Sequence, residues 1–426
     1  MELKPTAELI PPQVSEIIGL LKAHTYTAYL AGECVTQLLR GEKSLDIDLI
    51  TDAQMPRILA IFEEKYKINT DFVPRGELII ILGGVGISVS PYRSGFLPDG
   101  QPIYSKNIDD DLRRRVFLAD AIALHEESGI YDPFGGLDCI KGDEIVFRAV
   151  GEAETQQAEI NGNRQKNPLP PPVIPAMEQN PRVVMRAIER FMQGGFTFSE
   201  YTLKNICDHP DLLTKLPDLG TKLPLCLIGK RASDALMMFA PVIFALIPKL
   251  AEEYGYEQRS NLQEYTLYEH CAKAVGYAVP DTTVRLALLL HGIGKYDCEV
   301  IGATHNTFFG HAERGAMLAR DILAELGFPK EQTEDVFFLI QHHDDEINEQ
   351  NLSSFTAEYG AQRVRLLLLV QAANLRAKSP KRENELAAAS LRAIADNIGK
   401  TDAERSRRNS VTLAGLKRLV DGMDKV

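Results

Sequence analysis

Two aspartates stand one residue apart in the stretch SLDIDLITD, residues 44–52. The stretch is otherwise strand-like, and residues i and i+2 of a β-strand point to the same face, so the carboxylates of Asp46 and Asp48 are expected side by side. At about 5 Å they repel each other by about 3 kcal/mol at an effective dielectric constant near 20. A solvated edge strand would tolerate this repulsion. A cation between the carboxylates would offset it, which makes both aspartates candidate metal ligands and catalytic residues.

Basic and imidazole side chains also recur at spacings that suit chemistry. Arg114 and Arg115 crowd one predicted helix, and Arg186 belongs to a series with four-residue spacing on another. Guanidinium groups bind phosphate, although a solvated basic face is the simpler alternative for each arginine. Four further candidates are His270, His291, His311 and His342. Three or four imidazoles can bind one zinc-like ion, or they can be buried structural histidines.

The elements around the aspartates predict a small mixed α/β unit. TAYLAG is typical of a short buried strand ended by Gly32, ECVTQLLRG predicts a helix closed by Gly41, and DIDLIT predicts the next strand. The pair Gly83-Gly84 predicts a hairpin turn between two apolar strands. Residues 109–127 predict a single helix whose first acidic residues suit the positive end of its dipole.

The rest of the chain predicts a helical body behind a loose connector. Residues 151–180 are polar and then proline-rich, which predicts a linker or an insertion. Almost every later segment predicts helix, so the fold class is α+β. The predicted division is a head at 1–150, the linker at 151–180, a helical neck at 181–256, a second helical domain at 257–380 and a helical tail at 381–426.

Composition restricts the class of protein. The 426 residues, with 45% hydrophobic and 25% charged, suit a soluble protein of two to four domains. The formal net charge of −12 means that any binding of nucleic acid would depend on local basic clusters. Six scattered cysteines without a CxxC spacing favour free thiols. With no signal-peptide pattern and no apolar run of about 18 residues, we expect a cytoplasmic protein without membrane contact.

The head resembles the bacterial tRNA nucleotidyltransferase (CCA-adding) and poly(A) polymerase family. YLAGECVTQLLRG followed by LDIDLIT is similar to the family's opening motif of strand, glycine turn, helix and Asp-x-Asp strand. The similarity continues in the family's order through RGELIIIL, YRSGFLPDGQP, DDLRRRVFLADAIAL, GIYDPFGGLDCIKGDEIVFRAVG and NPRVVMRAIERFMQGGFTF. It implies a polymerase β-like nucleotidyltransferase head that transfers a nucleoside monophosphate from an NTP to the 3′-hydroxyl of an RNA such as tRNA.

The resemblance assigns roles to the candidate residues. Asp46 and Asp48 would hold Mg²⁺, or Mn²⁺, for two-metal catalysis, because these hard cations prefer carboxylate oxygens and substrate phosphates. A glycine turn lets backbone N–H groups approach a triphosphate. The residues implied to contact the nucleotide are Gly32, Arg114, Arg115 and Arg186.

Several positions differ from the family's motifs. Glu33 takes the place of the second glycine and adds a negative charge, and Thr36 takes the place of an arginine. Ser88 stands where the family usually has an acidic residue, and Val116 where it has an aspartate. Val183, with Asn180 before it, occupies the pair that recognises the incoming base in the family. The choice of nucleotide is therefore open.

The helical body resembles the HD domain found behind such heads. LYEHCAKAV, VRLALLLHGIGKYD, FFGHAERGAMLARDIL and VFFLIQHHDDEI carry the resemblance. The family's His-Asp pair is His291-Gly292 here, and its later aspartate is expected at Ala373, so a carboxylate-bridged binuclear centre is not expected. A single transition metal at His270, His291, His311 and His342 stays open beside a structural role, with His305, His343 and Asp344 as spare candidates.

Three functions remain open at this point. The first is a template-independent RNA nucleotidyltransferase, which the retained Asp-x-Asp favours. The second is an RNA-binding paralogue that has lost turnover, which the substituted positions favour. The third is a metal-dependent phosphohydrolase, which Gly292 and Ala373 disfavour. A structure with Glu33 turned away from Asp46 and Asp48, and with another carboxylate nearby, would favour the first. The oligomeric state is open.

Overall fold

The computed structural model describes residues 9–44, 46–97, 99–141, 144–149, 177, 181–214, 227–259, 264–348 and 350–400. The chain divides into two compact units, one of Met1–Phe191 with Gly195–Leu213 and one of Met192–Gly194 with Thr214–Val426. The predicted linker lies outside the described residues except for Met177, and so does the predicted tail beyond residue 400. The division into five segments remains a prediction.

A seven-stranded mixed sheet forms the centre of the first unit. The strands of this unit are β1 Ala28–Ala31, β2 Asp46–Thr51, β3 Ile68–Asn69, β4 Leu78–Leu82, β5 Val85–Pro91, β6 Arg93–Phe96, β7 Pro102–Tyr104, β8 Ala123–His125, β9 Gly129–Tyr131, β10 Ile140–Lys141, β11 Glu144–Phe147 and β12 Phe196–Phe198. The central order is β3-β4-β5-β2-β1-β8-β9, with β2 and β5 parallel and the other neighbours antiparallel. Strands β6 and β7 pair separately, and β10, β11 and β12 form a third sheet.

Three helices cover one face of the central sheet. They are Pro12–Ala23, Glu33–Leu39 and Met55–Glu63, and their buried side chains share one hydrophobic core with Ile47 and Leu49 of β2. The predicted strands and helices around the two aspartates are therefore confirmed. The predicted hairpin turn is also confirmed, because Gly83 and Gly84 both have positive φ, the requirement of the tight turn between β4 and β5.

The single helix predicted over residues 109–127 is wrong. A helix runs only over Ile108–Arg113, with Asn107 accepting from the backbone N–H of Asp109 at its start. A 3₁₀ turn follows at Leu118–Asp120, and the next residues form β8 beside β1. The apolar run after the arginines is buried in the sheet, so tertiary pairing overrides the helical pattern. Three more helices lie mainly in the first unit, and they are Pro181–Gln193, Glu200–Asp208 and Asp211–Thr214. The helix Ala232–Met238 belongs to the second unit.

The second unit is helical in its described part, apart from one isolated bridge between Val300 and Thr307. Its further helices are Ala240–Leu246, Leu267–Tyr277, Thr282–Leu290, His311–Glu325, Lys330–Gln341, Leu352–Tyr359, Ala361–Lys378 and residues 382–400, with 3₁₀ turns at Pro248–Glu253 and Tyr296–Cys298. The helix Thr282–Leu290 lies in the centre, because every residue from Val284 to Leu290 is buried. None of the described helices combines the length and apolar character that crossing a membrane would require.

Candidate functional site

The sheet face opposite the hydrophobic core carries the two aspartates. Ile47 and Leu49 are fully buried in the core, so the alternation along β2 directs Asp46 and Asp48 to the other face. Both side chains reach solvent there and line a cavity of about 640 Å³. The structure thus places the two candidate metal ligands side by side, on the wall of one cavity.

Gly32 brings the backbone close to this pair. It joins β1 to the helix Glu33–Leu39 with φ +87° and ψ −151°, a conformation essentially restricted to glycine. A Cβ at this position would lie 2.5 Å from Nη1 of Arg115 and 3.4 Å from Oδ2 of Asp48. The turn is therefore shaped around Arg115 and Asp48, next to the cavity.

Arg114 and Arg115 are both held by one buried carboxylate. Nη2 of Arg114 lies 3.1 Å from each oxygen of Asp111, and Nη2 of Arg115 lies 3.1 Å from Oδ1. The backbone N–H of Arg93 donates to Oδ2 at 2.9 Å. Burial alone would raise the pKa of Asp111, but Arg114 and Arg115 lower it below its ordinary value, so this carboxylate is ionised. Both arginines line the cavity with fixed positions.

Burial and nearby charges together shift the pKa of Asp48. The carboxylate of Asp48 reaches solvent only through the cavity, and its desolvation by the surrounding protein raises its pKa; Arg115 opposes the rise, and Glu77 and Asp46 add to it. An acid surrounded by other acids is stabilised in its ionised form by added positive charge. A cation placed beside Asp46 and Asp48 would supply that charge.

Glu33 is turned to the helix Pro181–Gln193 and to its own helix. Its carboxylate forms an ion pair with Arg190, lies 3.7 Å from Nη2 of Arg186, and accepts a hydrogen bond of 2.8 Å from Nε2 of Gln37. Burial lowers the pKa of Arg190 to about 10, so the guanidinium remains charged at neutral pH. The charge that Glu33 adds is therefore balanced by Arg190 and Arg186, and Arg186 stands at the cavity wall where the sequence predicted a nucleotide contact.

Two further carboxylates, which the sequence did not predict as site residues, also line the cavity. Glu77 receives a hydrogen bond of 3.0 Å from Nη1 of Arg93. Burial raises the pKa of Asp120 to about 6. The charges of Arg115 and Arg186 lower this pKa, and the charge of Asp48 raises it further. No short-range spacing indicated either residue. Glu77 faces the cavity because β4 lies beside β5, and Asp120 because the helix predicted there is a 3₁₀ turn.

The substituted positions have identifiable structural settings. Thr36 is buried and its Oγ1 donates to the carbonyl oxygen of Ala119 at 2.7 Å, which ties its helix to the 3₁₀ turn. Ser88 pairs with Asp48 across β5 and β2, so a serine does stand beside the aspartate pair. Val116 is buried, and Val183 is partly buried on the cavity wall.

A row of four imidazoles lies inside the second unit. The ring centroids of His270 and His291 are 5.1 Å apart, those of His291 and His343 5.1 Å, and those of His343 and His311 5.2 Å. Burial lowers the pKa of all four rings, to about 3 for His270 and about 4 for His311, so they are neutral at neutral pH. Three of the four predicted histidines are therefore brought together.

The fourth predicted histidine, His342, is not in this row, and His343 takes its place. Nδ1 of His342 lies 2.6 Å from Oδ2 of Asp345, and its ring packs on Phe338, Phe355 and Tyr359. The helix Lys330–Gln341 ends just before the two histidines, so consecutive side chains point to different sides. The predicted set of four clustered histidines is therefore corrected, with His343 in place of His342.

The position of the family's later aspartate is corrected as well. Ala373 is buried in the core, whereas Oδ1 of Asn374 lies 2.9 Å from Nε2 of His270. Asn374, the residue after Ala373, is therefore the one that contacts the histidine row, through His270. A Cβ on Gly292 would lie 3.1 Å from Oε1 of Glu253 and 3.1 Å from Sγ of Cys271, so these buried groups occupy the space beside Gly292.

Comparisons with protein families match the two units separately. Residues 28–146 match the poly A polymerase head domain, and residues 249–399 match the HD domain. The CCA-adding enzyme of Geobacillus thermodenitrificans is 27% identical over 260 residues, 59% of this chain and 58% of the relative. The CCA-adding enzyme of Geobacillus stearothermophilus is 26% identical over 297 residues, 66% of this chain and 64% of the relative. The match therefore spans less than two thirds of the length of these relatives.

Solved structures share the fold over more of the chain. The Bacillus stearothermophilus CCA-adding enzyme in complex with CTP superimposes with a TM-score of 0.56 at 21% identity, covering 94% of this chain and 83% of that one. The Thermotoga maritima CCA-adding enzyme complexed with tRNA gives a TM-score of 0.56 at 16% identity, covering 92% and 86%. The predicted fold class, a mixed-sheet head followed by a helical body with an HD domain, is confirmed.

Proposed function

We propose that this chain is a divergent member of the CCA-adding enzyme and poly(A) polymerase family with an HD domain, and that it is a template-independent RNA nucleotidyltransferase. It transfers a nucleoside monophosphate from an NTP to the 3′-hydroxyl of an RNA, with the 3′ end of tRNA as the substrate class. The observation that carries the proposal is the pair Asp46 and Asp48 on the wall of the cavity beside Gly32 and Arg115. The relatives with bound CTP and tRNA support the choice of partners.

The residues present fit divalent magnesium or manganese. Asp46 and Asp48 offer adjacent carboxylate oxygens that reach solvent, and Mg²⁺ is usually held by one or two carboxylates plus substrate phosphates. When bound, such ions activate the attacking hydroxyl and stabilise the leaving pyrophosphate. The two aspartates would hold the ions, and they are the catalytic residues of the proposal.

The other cavity residues position the nucleotide. Arg114 and Arg115 present guanidinium groups that Asp111 holds in place, so little side-chain freedom is lost when they contact phosphate. Gly32 lets the guanidinium of Arg115 lie against the backbone beside Asp48, since any side chain there would meet Arg115. Arg186 pairs with Glu33 at the cavity wall, and its side chain is more than half exposed, so it can also contact phosphate or RNA.

Two observations favour turnover over the RNA-binding alternative. Glu33 is held by Arg190, Arg186 and Gln37, so the charge that it adds to the cavity wall is balanced by these partners. Glu77 supplies a third carboxylate to the same cavity. It does so although Ser88 stands at the position where the family usually has an acidic residue. The RNA-binding paralogue remains the second candidate because of Ser88, Val116 and Val183. An HD phosphohydrolase with the family's own ligand set is disfavoured by Gly292 and Asn374.

The deciding experiment is incorporation of each of the four labelled NTPs into tRNA lacking its 3′ end, with Mg²⁺ or Mn²⁺. We expect the wild type to incorporate CTP and ATP and Asp46→Asn to be slower by about a thousandfold, which is a loss of ~4 kcal/mol of transition-state stabilisation. Asp71→Asn is the matched control, because Asp71 is an exposed aspartate of the same unit outside the cavity.

The pattern of nucleotides would also show the base choice left open by Val183. Absence of incorporation with every nucleotide, while wild type and Asp46→Asn bind tRNA equally well, would contradict the transferase and leave the RNA-binding paralogue.

A further inference from the structure

We propose that a second cavity of the first unit binds the nucleotide that precedes the 3′ end of the acceptor RNA. This second cavity measures about 470 Å³ and borders the cavity of the aspartate pair, because Lys43 and Ser44 line both. None of the residues implied to contact the NTP lines it. The inference rests on the proposed transferase, since it states by which path the acceptor strand reaches the site of reaction.

The positive groups beside the aspartates stand at different ends of the pair. Arg115 lies against the turn at Gly32, where a Cβ would be 2.5 Å from its Nη1 and 3.4 Å from Oδ2 of Asp48. Lys43 instead comes just before Asp46, the first residue of β2. In phosphoryl transfer the attacking and leaving oxygens are roughly in line. With the leaving pyrophosphate on the arginines beside Asp48, the acceptor hydroxyl approaches from the end where Asp46 and Lys43 stand.

The second cavity lies at this same end of the central sheet. Strands β2 and β5 are parallel, and Asp46 pairs with Gly86. Both strands therefore begin here, and Val85, the first residue of β5, lines the second cavity. The hydroxyl of Ser44 donates to the carbonyl oxygen of Asp46 at 2.9 Å, which ties the loop between the two cavities to the start of β2. An RNA strand that leaves Asp46 in this direction enters the second cavity.

The walls of the second cavity suit a nucleoside. Much of the lining is apolar, from Pro11, Pro12, Leu38 and Val85, and Gln13 adds one amide group. The faces of a base pack on apolar side chains whatever the sequence, and an amide can both donate to a base edge and accept from it. The volume lies within the range of about 300–1,000 Å³ that is usual for pockets that bind small molecules. One nucleotide therefore fits the space and its chemistry.

Lys43 is the cation that the arrangement offers to the phosphate between the last two nucleotides. It lines both cavities, its side chain is exposed, and it forms no ion pair with any residue that the structure describes. The charge of the adjacent Glu42 is balanced, because its Oε1 lies 2.8 Å from Nε of Arg40. An ammonium binds phosphate as a point charge, so it needs no fixed geometry before the RNA arrives.

The direct test is photo-crosslinking of the full chain to tRNA that lacks its 3′ end and carries a thiouridine as its last-but-one nucleotide. No NTP is added, so the readout does not depend on turnover. We expect the crosslinked peptides to contain residues 11–13 or 41–44. The same tRNA with its thiouridine in the anticodon loop is the control and should not label these residues.

The outcomes separate this inference from the proposed function. Crosslinks confined to other segments, or no crosslink in a folded chain that binds the tRNA, would overturn the second cavity and leave the transferase standing. The expected crosslinks without any incorporation of nucleotides would support the second cavity and contradict the transferase. Failure of the folded chain to bind the tRNA would overturn both.

Two substitutions measure the contribution of the second cavity to binding. We expect Lys43→Gln to raise the dissociation constant of tRNA about fivefold and to change that of labelled CTP by less than about twofold, because a phosphate contact to RNA alone is lost. Gln13→Glu adds a negative charge to the second cavity only, since Gln13 does not line the first, and should act in the same direction.

Lys67→Gln is the matched control, because Lys67 is an exposed lysine of the same unit that lines neither cavity. Fluorescence anisotropy measures tRNA and CTP binding, and melting curves establish that each variant is folded. Equal dissociation constants of tRNA in Lys43→Gln and Lys67→Gln, or weakening of CTP alone in Lys43→Gln, would overturn the assignment.

Discussion

At the scale of single residues, buried charges decide which side chains are fixed and which are available. Asp111 is fully buried and holds Arg114 and Arg115, so both guanidinium groups face the cavity in defined positions. Glu253 is the opposite case. It is buried, and neither of its carboxylate oxygens has a hydrogen-bond partner among the described residues. The first carboxylate is ionised and organises a site, whereas the second is expected to be protonated.

Glu253 makes the stability of the chain depend on pH. Burial raises the pKa of Glu253 from its ordinary 4.5 to about 8, against the nearby charge of Lys295. The folded chain therefore keeps a proton that the unfolded chain has lost between these values. The stabilising contribution is complete below pH 4.5 and is lost as the pH rises through 8.

Replacing this acid should flatten that dependence. Glu253→Gln cannot ionise, so we expect its free energy of unfolding to exceed that of the wild type by about 4 kcal/mol at pH 8 and to approach it near pH 5. Urea denaturation at a series of pH values measures this difference. A constant difference between the two proteins across the series would mean that Glu253 is ionised in the folded state.

At the scale of elements, the turn from β1 into the helix Glu33–Leu39 connects the fold to the site. The helix packs its apolar side on the core, and its first residue, Glu33, meets Arg190 and Arg186. The turn residue, Gly32, has a backbone conformation that other residues rarely adopt. Asp48, Arg115 and Glu33 line the same cavity only if the strand, the turn and the helix keep a fixed geometry relative to one another.

Gly32→Ala tests this turn. We expect a loss of about 2 kcal/mol of stability from the strained backbone, together with weaker NTP binding because the new Cβ displaces Arg115. Gly84→Ala is the control, since Gly84 also has positive φ but no atom lies within 4 Å of a Cβ there. The two variants should lose similar stability in chemical denaturation, and only Gly32→Ala should raise the KM for NTP. Equal KM values in both variants would mean that the turn at Gly32 has no part in nucleotide binding.

At the scale of the whole molecule, the charge balance limits how RNA can be bound. The chain has a formal net charge of −12, so attraction to a polyanion must come from local clusters such as the arginines of the first unit. Binding of nucleic acid through such contacts weakens with salt in proportion to the number of phosphates neutralised.

Arg186 is the exposed arginine of the cavity wall and a test of this dependence. We expect Arg186→Gln to weaken tRNA binding and to reduce the slope of log affinity against log salt by about one. Fluorescence anisotropy at several salt concentrations measures the slope. Arg320→Gln, on an exposed helix position of the second unit, serves as the comparison. An unchanged slope in Arg186→Gln would mean that Arg186 pairs with Glu33 and makes no contact with the RNA phosphates.

Features that depend on near neighbours in the chain could be predicted from the amino-acid sequence. The alternation of DIDLIT puts Asp46 and Asp48 on one face, and Gly83-Gly84 forms a hairpin, because strand period and turn conformation are local properties. Motif order was also enough to identify both the head and the HD domain.

Contacts between residues that are distant in the chain could not be predicted in this way and are seen in the folded protein. The tertiary structure brought Glu77 and Asp120 to the cavity, turned Glu33 towards Arg190, and chose His343 over His342 and Asn374 over Ala373. It also replaced the predicted helix at 109–127 by a shorter helix, a 3₁₀ turn and strand β8. The physical reason is the same in each case. Sheet register and the rotation at a helix end are set by burial against remote segments, and the spacing of residues along the chain does not contain that information.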